Sequence, residues 1–293
     1  MERKGLPVSL GTENIWKLLM QYAIPSVIAM TASSLYNITD SIFIGQGVGA
    51  LAISGLAISF PLMNLSAAFG TLIGAGAANL LSLRLGQRDY GSANKILGNV
   101  VSLTSILGVA YTIVVMLFLE KILRFFGASS DTLPYAKEYM TIITLGNVVT
   151  HMYFGLNALI RSSGHPSKSM YATISTVIIN AILTPVFIYV FDMGIKGAAV
   201  ATVLSQIILL VWQFRFFSNK QNFIHLKREN LKIDRKILKD TTSIGLAPFL
   251  MNAVSSVIVI LINHSLVRHG GDLAVGAYGI MNRIAMLFGM III

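Results

Sequence analysis

Cysteine is absent from the 293 residues, and charge is scarce: Asp, Glu, Lys and Arg together make 12% of the chain, against 55% hydrophobic residues. Without cysteine there is no disulfide framework, no thiolate metal site and no cysteine nucleophile, and the redox compartment cannot be read. A soluble domain carries roughly a quarter charged residues, so the composition argues against a water-soluble globular fold. Intrinsic disorder needs low hydrophobicity and high net charge, and it is excluded too. The formal charge of +10 therefore needs an explanation other than nucleic-acid binding, which is not expected here. The start, Met1-Glu2-Arg3-Lys4, is followed by Gly5, Pro7, Ser9, Gly11 and Thr12 before any long apolar run. It lacks the short apolar core and small-residue cleavage site of a signal peptide, so the first hydrophobic segment is expected in the mature protein.

What the chain has is long stretches free of Asp, Glu, Lys and Arg: residues 18–39, 41–83, 96–119, 139–160, 169–191, 197–214 and 241–267, then an apolar run from Leu273 broken by Arg283. A hydrocarbon core of ~30 Å is crossed by a helix of ~20 mostly apolar residues. The stretch 41–83 is too long for one crossing, and Gly45-Gln46-Gly47-Val48-Gly49 within it is a turn signal. Eight spans are therefore predicted, the first ending near Gly45 and the second starting near Leu51.

With the loops alternating sides, sixteen Lys and Arg fall on the side of the N-terminus, among them Arg3, Lys4 and Lys17, and five on the other. Positive loops stay in the cytoplasm, so the N-terminus is predicted there and the basic balance is a topology signal. The segment from Lys220 to Lys239, rich in Lys and Arg, could also touch anionic headgroups. Trp16 and Trp212 fall at the predicted cytoplasmic ends of spans 1 and 6, where an aromatic belt belongs.

Sliding the sequence on itself by 222 residues places Ile15 and Lys17 on Ile237 and Lys239, Ser33-Ser34 on Ser255-Ser256, and Gly49-x-Leu51-Ala52-Ile53 on Gly271-x-Leu273-Ala274-Val275. Six spans separate the copies, so both start on the same side and the repeats are parallel. Chance matching between apolar helices is the alternative. The repeat divides the chain into a six-helix N-terminal lobe (1–219), a cytoplasmic linker (220–240) and the start of a second lobe (241–293), which is expected to be C-terminally truncated.

One acidic residue stands out. Asp40 follows a long uncharged run and precedes Ser41-Ile42-Phe43-Ile44-Gly45, which places a carboxylate in the outer half of a span, at a cost of roughly 2.5 to 3.5 kcal/mol even on lenient insertion scales. Desolvation penalises the charged form, so such a group can take up and release a proton, while a partner such as Na+ acts oppositely. From the residues alone two readings stand, a lipid-depth ion switch or an interfacial Asp capping a turn.

Several segments carry a family resemblance: Tyr36-Asn37-Ile38-Thr39-Asp40-Ser41-Ile42-Phe43-Ile44-Gly45, Ser82-x-Arg84-Leu85-Gly86, Ile160-Arg161-Ser162-Ser163-Gly164-His165-Pro166, Gly197-Ala198-Ala199-Val200-Ala201-Thr202 with Ser205-Gln206, and Tyr278-Gly279-Ile280-x-x-Arg283. In order and spacing they resemble the multidrug and toxic compound extrusion (MATE) family across essentially the whole chain. The resemblance implies an all-α integral membrane fold of twelve helices in two six-helix lobes around a central cavity. It also implies secondary active efflux of organic cations or drugs in exchange for H+ or Na+. About four helices of that pattern are missing here.

The family's first-lobe cation site carries over to Asp40, Asn180 and Thr202. Where many members have a second Asp before Pro, this chain reads Leu183-Thr184-Pro185, so Thr184 brings a hydroxyl in place of a charge. One carboxylate with amide and hydroxyl oxygens makes a weaker Na+ site at Asp40 and Asn180, and H+ is the favoured coupling ion. Tyr36, Asn37, Phe60, Met63, Met152 and Arg283 are candidate cavity residues, aromatics and methionines suiting flat hydrophobic cations. Helical aromatics and methionines equally face neighbours or lipid. His151 and His264 read as packing residues, and Pro25, Pro61, Pro185 and Pro248 as kinks that could be hinges or static. No cofactor and no enzymatic acid-base pair is expected. A lipid-linked precursor flippase and a membrane-embedded structural or enzymatic protein are the rival functions. The expected protein is multi-pass in the plasma (inner) membrane, in contact with lipid and monomeric when full length.

Overall fold

The computed structural model describes residues 14–292. Arg3, Lys4 and the leader reading of the chain's start lie outside the described residues. Those residues are helical, with no strand among them. The helices are α1 (Ile15–Gly47), α2 (Ala50–Gly86), α3 (Tyr90–Phe125), α4 (Leu133–Leu145), α5 (Asn147–Ser162), α6 (Pro166–Pro185, continued by a π-helical turn Val186–Val190), α7 (Ile195–Ser218) and α8 (Arg235–Ile292).

Lipid-compatible helices must satisfy their backbone internally and hide their polar side chains. In α1 the hydroxyls of Ser26, Ser33, Thr39 and Ser41 each donate to the carbonyl four residues earlier, which removes them as free polar groups. The outer surface is apolar: Ile106, Ile113, Val114 and Leu117 of α3 are more than half exposed. The interior holds Ser66, Asn147, His151, Asn180 and Thr184. Apolar outside and polar inside is the distribution hydrocarbon selects.

Six helices are long and apolar enough to cross a membrane, and α4 with α5 forms a bent pair, at 57°, that makes a seventh span. The stretch 139–160 reads as one straight span in sequence, and no proline marks the bend. At Gly146, between the two helices, a Cβ would lie 2.5 Å from Val203 of α7, so close approach of α7 fills the place of a side chain. The 58 residues of α8 would extend about 87 Å as one helix, nearly three hydrocarbon thicknesses. It is broken at Gly271, where φ is 70°, and the break divides it into two helical limbs where the sequence predicts two spans. Gly49, at the corresponding place 222 positions earlier, has φ 118°. Both turns need a residue tolerant of left-handed backbone, which is what glycine supplies.

α2 lies at the centre, packed most extensively on α8 and also on α3, α4 and α5, while α1 packs chiefly on α6. Two apolar clusters hold the ends. One gathers Ile44, Leu56, Leu62, Tyr139 and Ile143, and the other gathers Ile73, Leu81, Leu97, Leu156 and Phe217.

Candidate functional site

Asp40 is 5% exposed on α1. Its Oδ1 lies 3.3 Å from the Thr184 hydroxyl of α6, and Thr184 lies 3.1 Å from Asn180 Oδ1 one turn away on the same face. Asn180 Nδ2 donates to Thr202 Oγ1 of α7 at 3.2 Å, and the Tyr36 hydroxyl, one turn before Asp40 on α1, sits 2.8 Å from that same oxygen. The result is a continuous polar chain, Asp40, Thr184, Asn180, Thr202, Tyr36, that starts and ends on α1.

Hydrogen counting gives this chain a direction. Thr202 donates to the Ala198 carbonyl at 3.0 Å, so toward Asn180 and Tyr36 it accepts. Thr184 has one proton and two acceptors within reach, Asp40 Oδ1 and Asn180 Oδ1, and a hydroxyl donates once. With Asp40 ionised, Thr184 donates to the carboxylate; with Asp40 protonated, the acid can donate to Thr184, which then turns to Asn180. A change of charge at Asp40 thus rearranges a hydrogen bond on α6.

The local sequence accounts for the placement. Pro185 lacks an N–H, so the α-ladder cannot close over it, and α6 passes into the π-helical turn Val186–Val190 directly after Pro185. Such π-turns recur at functional sites. Tyr189 of that turn donates to the Phe43 carbonyl at 3.2 Å and its ring meets Phe43 edge-on, fastening α6 to the end of α1 just beyond Asp40.

The MatE family model matches residues 25–186. The chain belongs to the MatE family. The multidrug export protein MepA of Staphylococcus haemolyticus (strain JCSC1435) is 28% identical over 279 residues, covering 95% of this chain and 62% of the relative. Among solved structures, that of the MATE multidrug transporter DinF-BH has a TM-score of 0.90 at 34% identity, over 96% of this chain and 63% of that one. An inward-facing conformation of a multidrug resistance MATE family transporter of the MOP superfamily has a TM-score of 0.82 at 26% identity, over 87% of this chain and 58% of that one. The chain spans about three-fifths of the length of the relatives it matches.

The other predicted residues of this MatE chain are dispersed. Phe60 and Arg283 line a small cavity between α2 and both limbs of α8, with Asn263, Tyr278 and Asn282. Met63 packs on the first apolar cluster, and Met152, 8% exposed, is part of the second; neither lines the cavity of Phe60. The Asn37 amide donates to the Ser33 carbonyl of its own helix at 2.8 Å. His151 is fully buried beside Ser66 at 3.0 Å, and Ser66 donates to Asn147 at 2.7 Å. His264 pairs with the Phe125 carbonyl.

Tyr139 was not expected. Fully buried on α4, it lies within electrostatic range of Asp40, Tyr36 and Arg283 and beside the Thr202 hydroxyl. It opens a charge-free stretch in the sequence, where an aromatic reads as a belt residue, so no periodicity sets it apart. For an ion, the site offers one carboxylate, the Asn180 amide oxygen and the Thr184 hydroxyl. That set can carry a proton and suits a hard cation less well.

Proposed function

We propose that this protein exports amphiphilic organic cations in exchange for H+, with Na+ as the alternative ion, by alternating access between two lobes in the plasma (inner) membrane. In this reading residues 1–219 form the first lobe, 220–240 a cytoplasmic linker and 241–293 the beginning of the second, with the N-terminus in the cytoplasm and the complete transporter a monomer. The observation that carries the proposal is the buried polar chain from Asp40 through Thr184, Asn180 and Thr202 to Tyr36. The relatives named as multidrug exporters support the substrate class.

Coupling requires that substrate favour one protonation state of Asp40, since a ligand binding both equally shifts nothing. A cation near the site favours the ionised carboxylate, and protonation expels it. A monovalent cation leaving as one H+ enters moves no net charge, so a 1:1 exchange draws on the pH gradient, about 1.4 kcal/mol or tenfold per pH unit, and the membrane potential adds about 2.3 kcal/mol per 100 mV only for each H+ beyond the first. The test is ethidium accumulation in cells expressing the full-length protein and its Asp40→Asn variant, with and without a protonophore or Na+. Wild-type cells are expected to exclude the dye until the protonophore is added, and the variant to accumulate it while remaining folded in the membrane. Unchanged efflux by Asp40→Asn refutes the assigned role.

A further inference from the structure

The segment joining α7 to α8 is fastened to α3 rather than left as a loose loop. Asn94 donates to the Phe223 carbonyl at 3.5 Å and accepts from the His225 N–H at 2.8 Å. Asn99 donates to the Lys232 carbonyl at 3.3 Å and accepts from the Asp234 N–H at 2.8 Å, and Ser102 donates to the Leu231 carbonyl at 2.6 Å. At Gly98 a Cβ would collide with the Asn230 backbone. Positions 94, 98, 99 and 102 share one face of α3, and Ile224, 4% exposed, anchors the segment in the apolar cluster of Leu97 and Phe217.

That fastening sets a depth. Asn94 to Ser102 covers about 12 Å of helix, and the charge-free stretch of α3 starts at Ile96, so the segment lies beside the first turns of apolar helix, at headgroup level. Its outward face is cationic: Lys227, Arg228 and Lys232 are exposed, as are Arg235, Lys236 and Lys239 on the first turns of α8. Glu229, Asp234 and Asp240 offset three of these six charges and leave a net +3; Glu229 pairs with Lys227 at 3.8 Å, and Asp234 caps α8 through the Lys236 N–H at 2.8 Å. Ile233, 41% exposed, adds an apolar side chain among the basic ones, as an interfacial surface requires.

We propose that this pinned segment is a docking surface for anionic phospholipid headgroups. Each Lys or Arg near an anionic surface contributes attraction that falls off within a Debye length, and rigid attachment to α3 means that little chain entropy is lost on docking. Only the choice of leaflet rests on the orientation proposed above.

The test uses the purified protein in detergent, titrated with phosphatidylglycerol or phosphatidylcholine at low and high salt. Its readouts are thermal stability and lipid retained per protein. Phosphatidylglycerol is expected to raise Tm by at least about 2 °C at low salt, phosphatidylcholine and soluble glycerol phosphate to do nothing, and the Lys227→Gln/Arg228→Gln/Lys232→Gln variant to lose the gain. Lys121→Gln/Lys137→Gln, neutralised at the opposite end, and Asp40→Asn, expected above to lose efflux, should both keep it. The proposal is overturned if phosphatidylcholine or glycerol phosphate matches phosphatidylglycerol, if the triple variant keeps the gain, or if the Lys121/Lys137 control loses it equally.

Discussion

Arg283 Nη1 donates to the main-chain carbonyl of Asn37 at 2.9 Å, joining α8 to α1 across 246 positions of sequence. The same carbonyl accepts from the Ser41 hydroxyl at 2.7 Å, so it serves the helix and its neighbour together. Asn37 stands one turn before Asp40, which lies within electrostatic range of Arg283. A guanidinium among apolar helices must pair or find water; here it pairs with backbone. The proposed ion site is thereby tied to the second limb of α8 through the Asn37 carbonyl.

Replacing Arg283 with Gln keeps a hydrogen-bond donor and removes the charge. Loss of a charge-assisted bond corresponds to about tenfold or more in an equilibrium, so dye efflux by Arg283→Gln should fall by about that factor while Arg283→Lys retains a larger share. Fluorescence-detected size exclusion checks that both remain folded. Wild-type efflux by Arg283→Gln would refute the tie.

Thr184 is the pivot of the polar chain, because its single proton serves either Asp40 or Asn180. Thr184→Ser preserves the hydroxyl and should keep efflux within about twofold, whereas Thr184→Val removes it and should abolish coupling at a stability cost of only about 0.6 kcal/mol, the average for such bonds in one membrane protein. Thr184→Asp adds a second carboxylate and should make transport Na+-stimulated, as measured by efflux in Na+ against choline buffer. Equal activity of the Ser and Val variants would remove Thr184 from the mechanism.

Much of this arrangement was legible in the sequence. Uncharged stretches give the spans because hydrocarbon excludes charge over a fixed thickness, and Asp40 is conspicuous because it breaks that rule. Gly49 and Gly271 mark the two matching turns because few other residues adopt their backbone angles. Asn180 and Thr202 came by family resemblance, since a polar residue in a helix does not reveal which neighbour it faces. Tyr36 reads as a cavity residue, and its hydroxyl closes the polar chain; Tyr139 has no distinguishing sequence signal, because an aromatic at a membrane helix suits lipid, interface and interior equally. The α4–α5 bend was hidden because its cause, the approach of Val203 to Gly146, lies 57 positions away in sequence. Asn94 and Asn99 read as ordinary polar residues near a helix start, and only the fold gives them a partner stretch of backbone.

Asp89, between α2 and α3, caps α3 by accepting from the Ser92 N–H at 3.0 Å. Its hydrogen bonds with Ser92, through side chain and backbone, hold its carboxyl below the ordinary Asp range, with Arg84 and Lys95 adding to the effect. A lowered folded-state value means that the ionised form is stabilised by folding, so this contribution is present above the unfolded Asp range and is lost as pH falls through the folded value. Asn also caps helices but does not titrate. The Tm of wild type should therefore exceed that of Asp89→Asn at pH 7, and the difference should vanish on acidification through the Asp range. A difference independent of pH would show that the cap does not depend on charge.

At one end of the α2–α8 contact, Gly76 lies against the Thr241 carbonyl and Gly245 against the Leu72 carbonyl, so closely that a Cβ at either glycine would collide with backbone. At the other end Gly276 meets Ser54 and Gly279 meets Ala57, so α8 touches α2 near both of its termini. If access alternates, these two crossings must part in turn, and a methyl group at one of them should prop that end open. Overpacking of this kind costs about 1–3 kcal/mol. Gly76→Ala and Gly245→Ala should therefore lower Tm and raise labelling by a membrane-impermeant maleimide of a cysteine placed at Leu72, on an otherwise cysteine-free chain. Gly86→Ala, where nothing lies within 4 Å, serves as the control and should leave labelling unchanged. Equal labelling across all three variants would mean that this crossing does not gate access.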